Sequence, residues 1–314
     1  MKLSAQKVTF SNSLKKHTVT IDFSENCNIH CLNCPRSVRL KNWDINNYWK
    51  LDEAKKLIDY IMKELEPSNI DIGVLAEFCI YKYNAEILEY MYTNYPDVQI
   101  LITTNLTNLS DKLLESIRAS KNVTVNCSLW TNLPDMYLRL HGEDFFERVD
   151  VNLQKLLSVE NKQFDIMIST IEYNKKQLDN MREYTKNLSQ KYNMKYCELT
   201  GSRRHEPNTL TLYRNVYMPD LNNIPADFER KFDSISEVNN SSCKINWTCD
   251  MIRNNAYFTY NRCYACVNMV DGFNFTLNNL DDLSYKLNKQ LALENKMDIC
   301  KTCSIGYCCM GKGH

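Results

Sequence analysis

The sequence predicts an α/β protein in which a parallel sheet covered by helices is followed by a small cysteine-rich domain. Three observations carry this expectation. Between Thr18 and Gly201 six β-rich runs alternate with helical patterns, the order that lays helices on a parallel sheet. Beyond Gly201 the alternation breaks. Eight of the fourteen cysteines then fall between Cys243 and Cys309. A chain of 314 residues has room for one large domain and a smaller one. Its 44% hydrophobic and 24% charged content is ordinary for a globular protein with an ample core. The expected divisions are 1–201 for the sheet domain, 202–241 for a bridging segment and 242–314 for the cysteine-rich domain.

In chain order, the first strand is expected over Thr18 to Phe23, with Cys27, Cys31 and Cys34 just beyond its end. Ala54, Leu57, Ile58, Ile61, Met62 and Leu65 then recur at helical spacing, one apolar stripe on one helix. Further strands are predicted over Asn69 to Ala76, Val98 to Asn105 and Val123 to Trp130. Phe145, Val149, Leu153 and Leu156 mark the next helix, before strands over Phe164 to Ile171 and Met194 to Thr200. Pro207, Pro219, Pro225 and several Asn make the following segment read as an irregular bridge, with one short helix near Ala226 to Phe232. In the tail, Ala256 to Arg262 reads as a hairpin with Asn261 at the turn, where a residue tolerant of left-handed backbone is needed. A helix over Leu280 to Glu294 precedes Cys300 and Cys303.

Charge and termini narrow the class of protein. Thirty-eight basic residues balance thirty-eight acidic ones, so nothing favours nucleic acid as a partner. Met1 to His17 is polar and lacks the apolar segment of a signal peptide. No stretch approaches the roughly 18 apolar residues of a membrane span. A cytoplasmic, reducing setting is therefore expected, in which clustered cysteines read as metal ligands rather than disulfides.

The run Cys27-Asn-Ile-His-Cys31-Leu-Asn-Cys34 crowds three thiols into one loop at the carboxyl end of a strand, where barrels carry their chemistry. A structural zinc site takes four ligands, usually in two spaced pairs, and His30 is the one nearby residue able to complete such a set. Electron-transfer clusters also use closely spaced cysteines, but with a fourth. The C-x3-C-x2-C spacing resembles the signature of the radical S-adenosylmethionine (radical SAM) superfamily. The resemblance implies a 4Fe–4S cluster held by Cys27, Cys31 and Cys34, with the fourth iron chelating S-adenosylmethionine. It also implies an open, partial (β/α)6 TIM-like barrel. The implied reaction is reductive cleavage of SAM to a 5′-deoxyadenosyl radical that abstracts a hydrogen atom from a substrate.

The same resemblance implies further cofactor contacts. Gly73-Val74-Leu75-Ala76-Glu77-Phe78 stands where relatives carry Gly-Gly-Glu-Pro, a stretch whose backbone meets the SAM amino group, so Ala76 and Glu77 are candidates. Leu75, Ala76 and Phe78 replace the small residues and the Pro. Thr103-Thr104-Asn105 ends the third strand where relatives read Thr-Asn-Gly, and Ser128 lies where a polar contact to the SAM ribose is common. Asn105 and Ser128 are thus candidates, with a loop-capping role as the plainer alternative.

In the tail, Cys249 and Cys266 bracket the hairpin and Cys300 and Cys303 form a C-x2-C knuckle. The arrangement resembles the twitch form of the SPASM extension. It implies one auxiliary 4Fe–4S cluster on those four residues; paired knuckles suit a zinc ribbon as well. Cys243 has the offset from Cys249 that a full SPASM extension would use, while Cys263, Cys308 and Cys309 are spare thiols, alternate ligands or a proton and hydrogen source. Cys79, Cys127, Cys197 and Cys308 are candidates for a hydrogen-donating thiol, which would make the reaction an epimerisation rather than an oxidation. Arg203, Arg204, His205 and Glu206 are candidates to hold a substrate anion. With twenty-six residues ahead of Cys27, a small polar metabolite such as a sugar or polyol is expected in preference to a ribosomally made peptide. A flavodoxin- or ferredoxin-type protein is the expected electron donor. A non-catalytic zinc or electron-transfer protein is the contrasting alternative.

Overall fold

The structure, a computed structural model, describes residues 17–32, 34, 36, 44–171, 175–200, 208–215, 255–264, 273–274 and 276–277. Strands form where β-branched residues alternate with polar ones. Ile70, Ile72, Ile100, Ile102, Val123 and Val125 are all buried in one apolar core. Their partners on the opposite face are polar at Asp71, Thr103, Thr124 and Asn126. Because successive strand residues point to opposite faces, this spacing fixes which face meets the helices.

The ordered elements are β1 (Thr18–Ile21), α1 (Leu51–Glu64), β2 (Asn69–Ile72), a 3-10 turn (Phe78–Ile80), α2 (Asn84–Asn94), β3 (Gln99–Thr104), α3 (Asp111–Ala119) and β4 (Val123–Trp130). They continue with α4 (Pro134–His141), α5 (Phe146–Leu157), β5 (Asp165–Ile171), α6 (Lys175–Lys191), β6 (Lys195–Thr200), β7 (Thr209–Asn215), β8 (Asn255–Thr259), β9 (Arg262–Tyr264) and β10 (Phe273–Asn274). The sheet order is β10-β9-β8-β1-β2-β3-β4-β5-β7-β6. β1 to β5 are parallel neighbours in sequence order, each joined to the next through helix. Leu57 of α1, Leu88 of α2, Leu113 of α3 and Leu153 of α5 are buried in the same core as these strands, as β–α–β crossovers of one hand would place them. The apolar stripe predicted for the first helix is realised: Ala54, Leu57, Ile58 and Ile61 of α1 are buried.

Beyond β5 the structure corrects the expected layout. The sixth place in the sheet belongs to β7, which runs parallel to both β5 and β6 and separates them. The segment 202–241 is therefore not irregular throughout. Thr209-Leu-Thr-Leu-Tyr-Arg-Asn215 alternates in the manner of a half-buried strand, with Leu210 and Leu212 fully buried. The nearby prolines and asparagines had masked that period-2 signal. Arg182 of α6 makes a bidentate pair with Glu198 of β6 (2.8 and 2.9 Å), and Arg214 of β7 adds a 3.3 Å contact. These contacts tie α6 to the edge strand β6 and to its neighbour β7. The short helix expected near Ala226 to Phe232 and the one over Leu280 to Glu294 lie outside the described residues.

The other edge of the sheet is formed by the tail. β8 pairs parallel with β1, from Thr18↔Asn255 to Ile21↔Phe258. β8 and β9 make the predicted hairpin, turning at Asn261 with φ 57°. Cys263 is fully buried between the hairpin strands and the core.

Candidate functional site

The three-cysteine loop is positioned by a helix end. The last carbonyls of an α-helix lack intrahelical partners. In α4 they are taken by the loop: His30 N–H donates to His141 O (3.0 Å) and Leu32 N–H to Leu140 O (2.9 Å). Gly142 ends the helix in the left-handed region at φ 74°, and a Cβ there would lie 2.7 Å from His30 O. Glycine is required for this approach. Cys34 N–H closes the loop onto Cys31 O at 3.1 Å. His30, the candidate fourth ligand, is turned out to solvent and meets Glu143 at 3.1 Å.

Cys27, Cys31 and Cys34 are half-buried. Burial first, then the charge of Glu77, pushes the Cys27 thiol up to about 11. Burial and the neighbouring thiols raise Cys31 as well. Cys27 and Cys31 so placed ionise only against a compensating cation, of the kind an iron–sulfur cluster supplies. Among the described residues no group of three or more His, Cys, Asp or Glu side chains is gathered as a single-ion site requires. Cys31 Sγ also lies 3.3 Å from His141 Nδ1, while His141 Nε2 donates to Leu129 O at 3.2 Å. That imidazole stacks between Tyr137 and Trp130, and burial holds its pKa down at about 4.

Of the residues expected around the cofactor, Glu77 and Asn105 bond to the stretch that carries Cys27. Glu77 is buried, with its carboxylate wholly engaged: it accepts from Cys79 N–H (2.8 Å), Thr104 Oγ1 (2.6 Å) and Asn105 N–H (2.7 Å). Burial raises its pKa against those three hydrogen bonds. Its own N–H donates to Asn26 O at 2.8 Å. Its side chain thus joins the segment after β2 to the end of β3, and its backbone N–H ties that segment to Asn26, just ahead of Cys27. Asn105 caps the next loop by accepting from Thr107 N–H and Oγ1, and its Nδ2 donates to Asn28 Oδ1 at 2.9 Å. Ala76 is buried beside Glu77. Ser128 sits in a bulge of β4, where Cys127↔Ile168 and Trp130↔Thr170 leave Ser128 and Leu129 opposite Ser169. Bulges of this kind re-aim side chains at functional edges.

Away from the helices, the sheet carries polar groups. Ser169 Oγ donates to Asn126 Oδ1 at 2.6 Å, and Asn126 Nδ2 reaches Thr103 Oγ1 at 3.4 Å. Thr211 continues the row opposite Met167. Cys197 lies on this face with Thr211. Cys127 alternates to the helix side and Cys79 is buried under Thr104. Cys249, Cys266, Cys300 and Cys303, the other tail cysteines Cys243, Cys308 and Cys309, and Arg203 to Glu206 lie outside the described residues.

The fold recurs in solved structures. Streptococcus suis SuiB bound to S-adenosylmethionine superposes with a TM-score of 0.61 at 14% identity, over 93% of this chain and 71% of SuiB. The fold is that of the radical SAM enzymes. Native anSMEcpe with bound AdoMet matches with a TM-score of 0.53 at 13% identity, over 91% of this chain and 86% of that one. BtrN in complex with AdoMet and 2-DOIA matches at 0.50 and 14%, over 92% and 93%. No protein-family model and no curated protein matches the sequence. Within this radical SAM fold, sequence reasoning missed Asp22, Asn28, His141 and Tyr257. Each acts through a partner distant in sequence, 235 positions away for Asp22 and Tyr257, so no local spacing announces it.

Proposed function

We propose that the chain is a radical SAM enzyme whose Cys27, Cys31 and Cys34 hold a 4Fe–4S cluster that binds S-adenosylmethionine. The observation that carries this reading is the loop of three partly buried thiols, fixed across the end of α4 at the carboxyl end of β1. Bound there, cluster and SAM supply a 5′-deoxyadenosyl radical that abstracts a hydrogen atom from the substrate. The protein's part is orientation. Glu77 and Asn105 hold the ends of β2 and β3 against the loop, which supports a role for the backbone at Ala76 and Glu77, with Asn105 and Ser128, in setting the cofactor. Cys249, Cys266, Cys300 and Cys303 are proposed to hold one auxiliary 4Fe–4S cluster, with a flavodoxin- or ferredoxin-type protein as electron donor.

For the substrate we favour a small polar molecule such as a sugar or polyol, oxidised or epimerised. The hydroxyl and amide row of Thr103, Asn126, Ser169 and Thr211 supports this. So does the similarity, along nearly the whole of both chains, to BtrN with its bound 2-DOIA. Similarity to SuiB, also crystallised with its precursor peptide SuiA, favours peptide modification as the second reading. The test is anaerobic reconstitution with SAM and a reductant. Formation of 5′-deoxyadenosine is expected, and its loss, with lower iron content and a retained fold, in the Cys27→Ala, Cys31→Ala, Cys34→Ala variant. Undiminished 5′-deoxyadenosine from that variant would sink the reading. Transfer of deuterium from a labelled sugar or peptide into 5′-deoxyadenosine then separates the two substrate classes.

A further inference from the structure

Asp22 closes β1 and is 1% exposed. Its carboxylate has three hydrogen-bond partners from two other parts of the chain. Oδ1 accepts from Val74 N–H at 3.0 Å, and Oδ2 from Leu75 N–H at 3.1 Å and Tyr257 O–H at 2.6 Å. The Ala76 amide also favours its charged form. In a trans peptide the N–H and C=O point in opposite directions. Aiming the amides of Val74 and Leu75 at Asp22 therefore turns the carbonyls of Gly73 and Val74 away from it. Gly73 allows this bend with φ 76°, since a Cβ would lie 2.4 Å from Thr103 O. The loop is thus held with its amides inward and its acceptors outward.

Tyr257 brings the tail into the same contact. It lies in β8, stacks on Tyr264 of β9 with ring centroids 5.4 Å apart, and is followed by Phe258, whose carbonyl takes Asp22 N–H at 2.8 Å. The hairpin between Cys249 and Cys266 therefore bonds directly to the carboxylate that orients residues 73–76. We propose that Asp22 and Tyr257 are a positioning pair through which the C-terminal hairpin sets the 73–76 loop for S-adenosylmethionine. This rests on the radical SAM reading above, because that loop is where the cofactor's amino group is expected.

The pair is tested in anaerobically reconstituted full-length protein with Tyr257→Phe, Asp22→Asn and, as a control, Tyr95→Phe. Tyr95 makes a similar 2.6 Å bond to Asp59, away from the site. Two measurements are made: amide hydrogen exchange across residues 73–77, and SAM binding with the KM for SAM and kcat of SAM cleavage. Removing one hydrogen bond to a charged group is expected to weaken SAM binding and raise KM about tenfold. For Tyr257→Phe, kcat and iron content should stay near wild type while the Val74 and Leu75 amides exchange faster. Tyr95→Phe should change neither measurement. Unchanged exchange and unchanged SAM affinity in Tyr257→Phe would overturn the pairing. If wild type itself fails to bind SAM, the radical reading falls; the exchange result then still decides whether the hairpin holds the loop, and no faster exchange in Tyr257→Phe would overturn that as well.

Discussion

At the scale of single residues, the site is built from buried polar groups whose partners converge from distant parts of the chain. Asp22 carries a measurable consequence of its burial. Desolvation raises its carboxyl to about 6 from the ordinary 3.8, against the opposing hydrogen bonds of Tyr257, Leu75, Val74 and Ala76. The native state therefore binds this proton more tightly than the unfolded chain does. Its contribution to stability is full below about pH 4 and is lost as pH rises through about 6, a change of about 3 kcal/mol. Tyr257 donates to it throughout, and Glu25 is the other acidic group acting on Tyr257. Urea unfolding of the iron-free protein between pH 4 and 7 checks this. The stability difference between wild type and Asp22→Asn should shrink by about that amount as pH rises. A difference that stays flat with pH would show that Asp22 does not titrate in this window.

At the scale of elements, β7 is the part that sequence reading missed. The alternation in Thr209 to Asn215 was legible, but the proline- and asparagine-rich surroundings gave no reason to place it in the sheet. Its position between β5 and β6 depends on pairing with both strands, and on Arg182 and Arg214 meeting at Glu198. Leu212→Ala should then cost about 2 to 5 kcal/mol, the range for a buried leucine. A substitution in an irregular exposed bridge changes stability by about 0.5 kcal/mol or less. A thermal or urea midpoint for Leu212→Ala indistinguishable from wild type would remove this segment from the core. The helical stripes, by contrast, were readable: Leu57, Ile58 and Ile61 in α1, and Val149, Leu153 and Leu156 in α5, are buried as their 3.6-residue spacing predicts.

At the scale of the whole molecule, the tail hairpin extends the sheet through the β8–β1 pairing, which carries the sequence between Cys249 and Cys266 to the same strand that leads into Cys27. Replacing Cys249, Cys266, Cys300 and Cys303 by Ala should remove about four irons per chain if they hold one cluster. SAM binding at the first motif should remain. Iron and sulfide analysis beside a SAM-binding titration decides this, and zinc at those positions in anaerobically purified protein would make the tail a structural ribbon.

By itself the sequence determined the alternating α/β architecture, the helix stripes, the Asn261 hairpin and the cysteine loop after the first strand. All of these are written in local spacing, because strand and helix periods and turn preferences act over a few residues. Tertiary structure alone decided the rest. It seated His30 and Leu32 on the end of α4, closed Glu77 over Thr104 and Asn105, inserted β7 between β5 and β6, and joined Asp22 to Tyr257. The physical reason is that a buried carboxylate or an unpaired helix carbonyl must find a partner wherever the folded chain supplies one. That partner is chosen by proximity in space, which no periodicity in the sequence records.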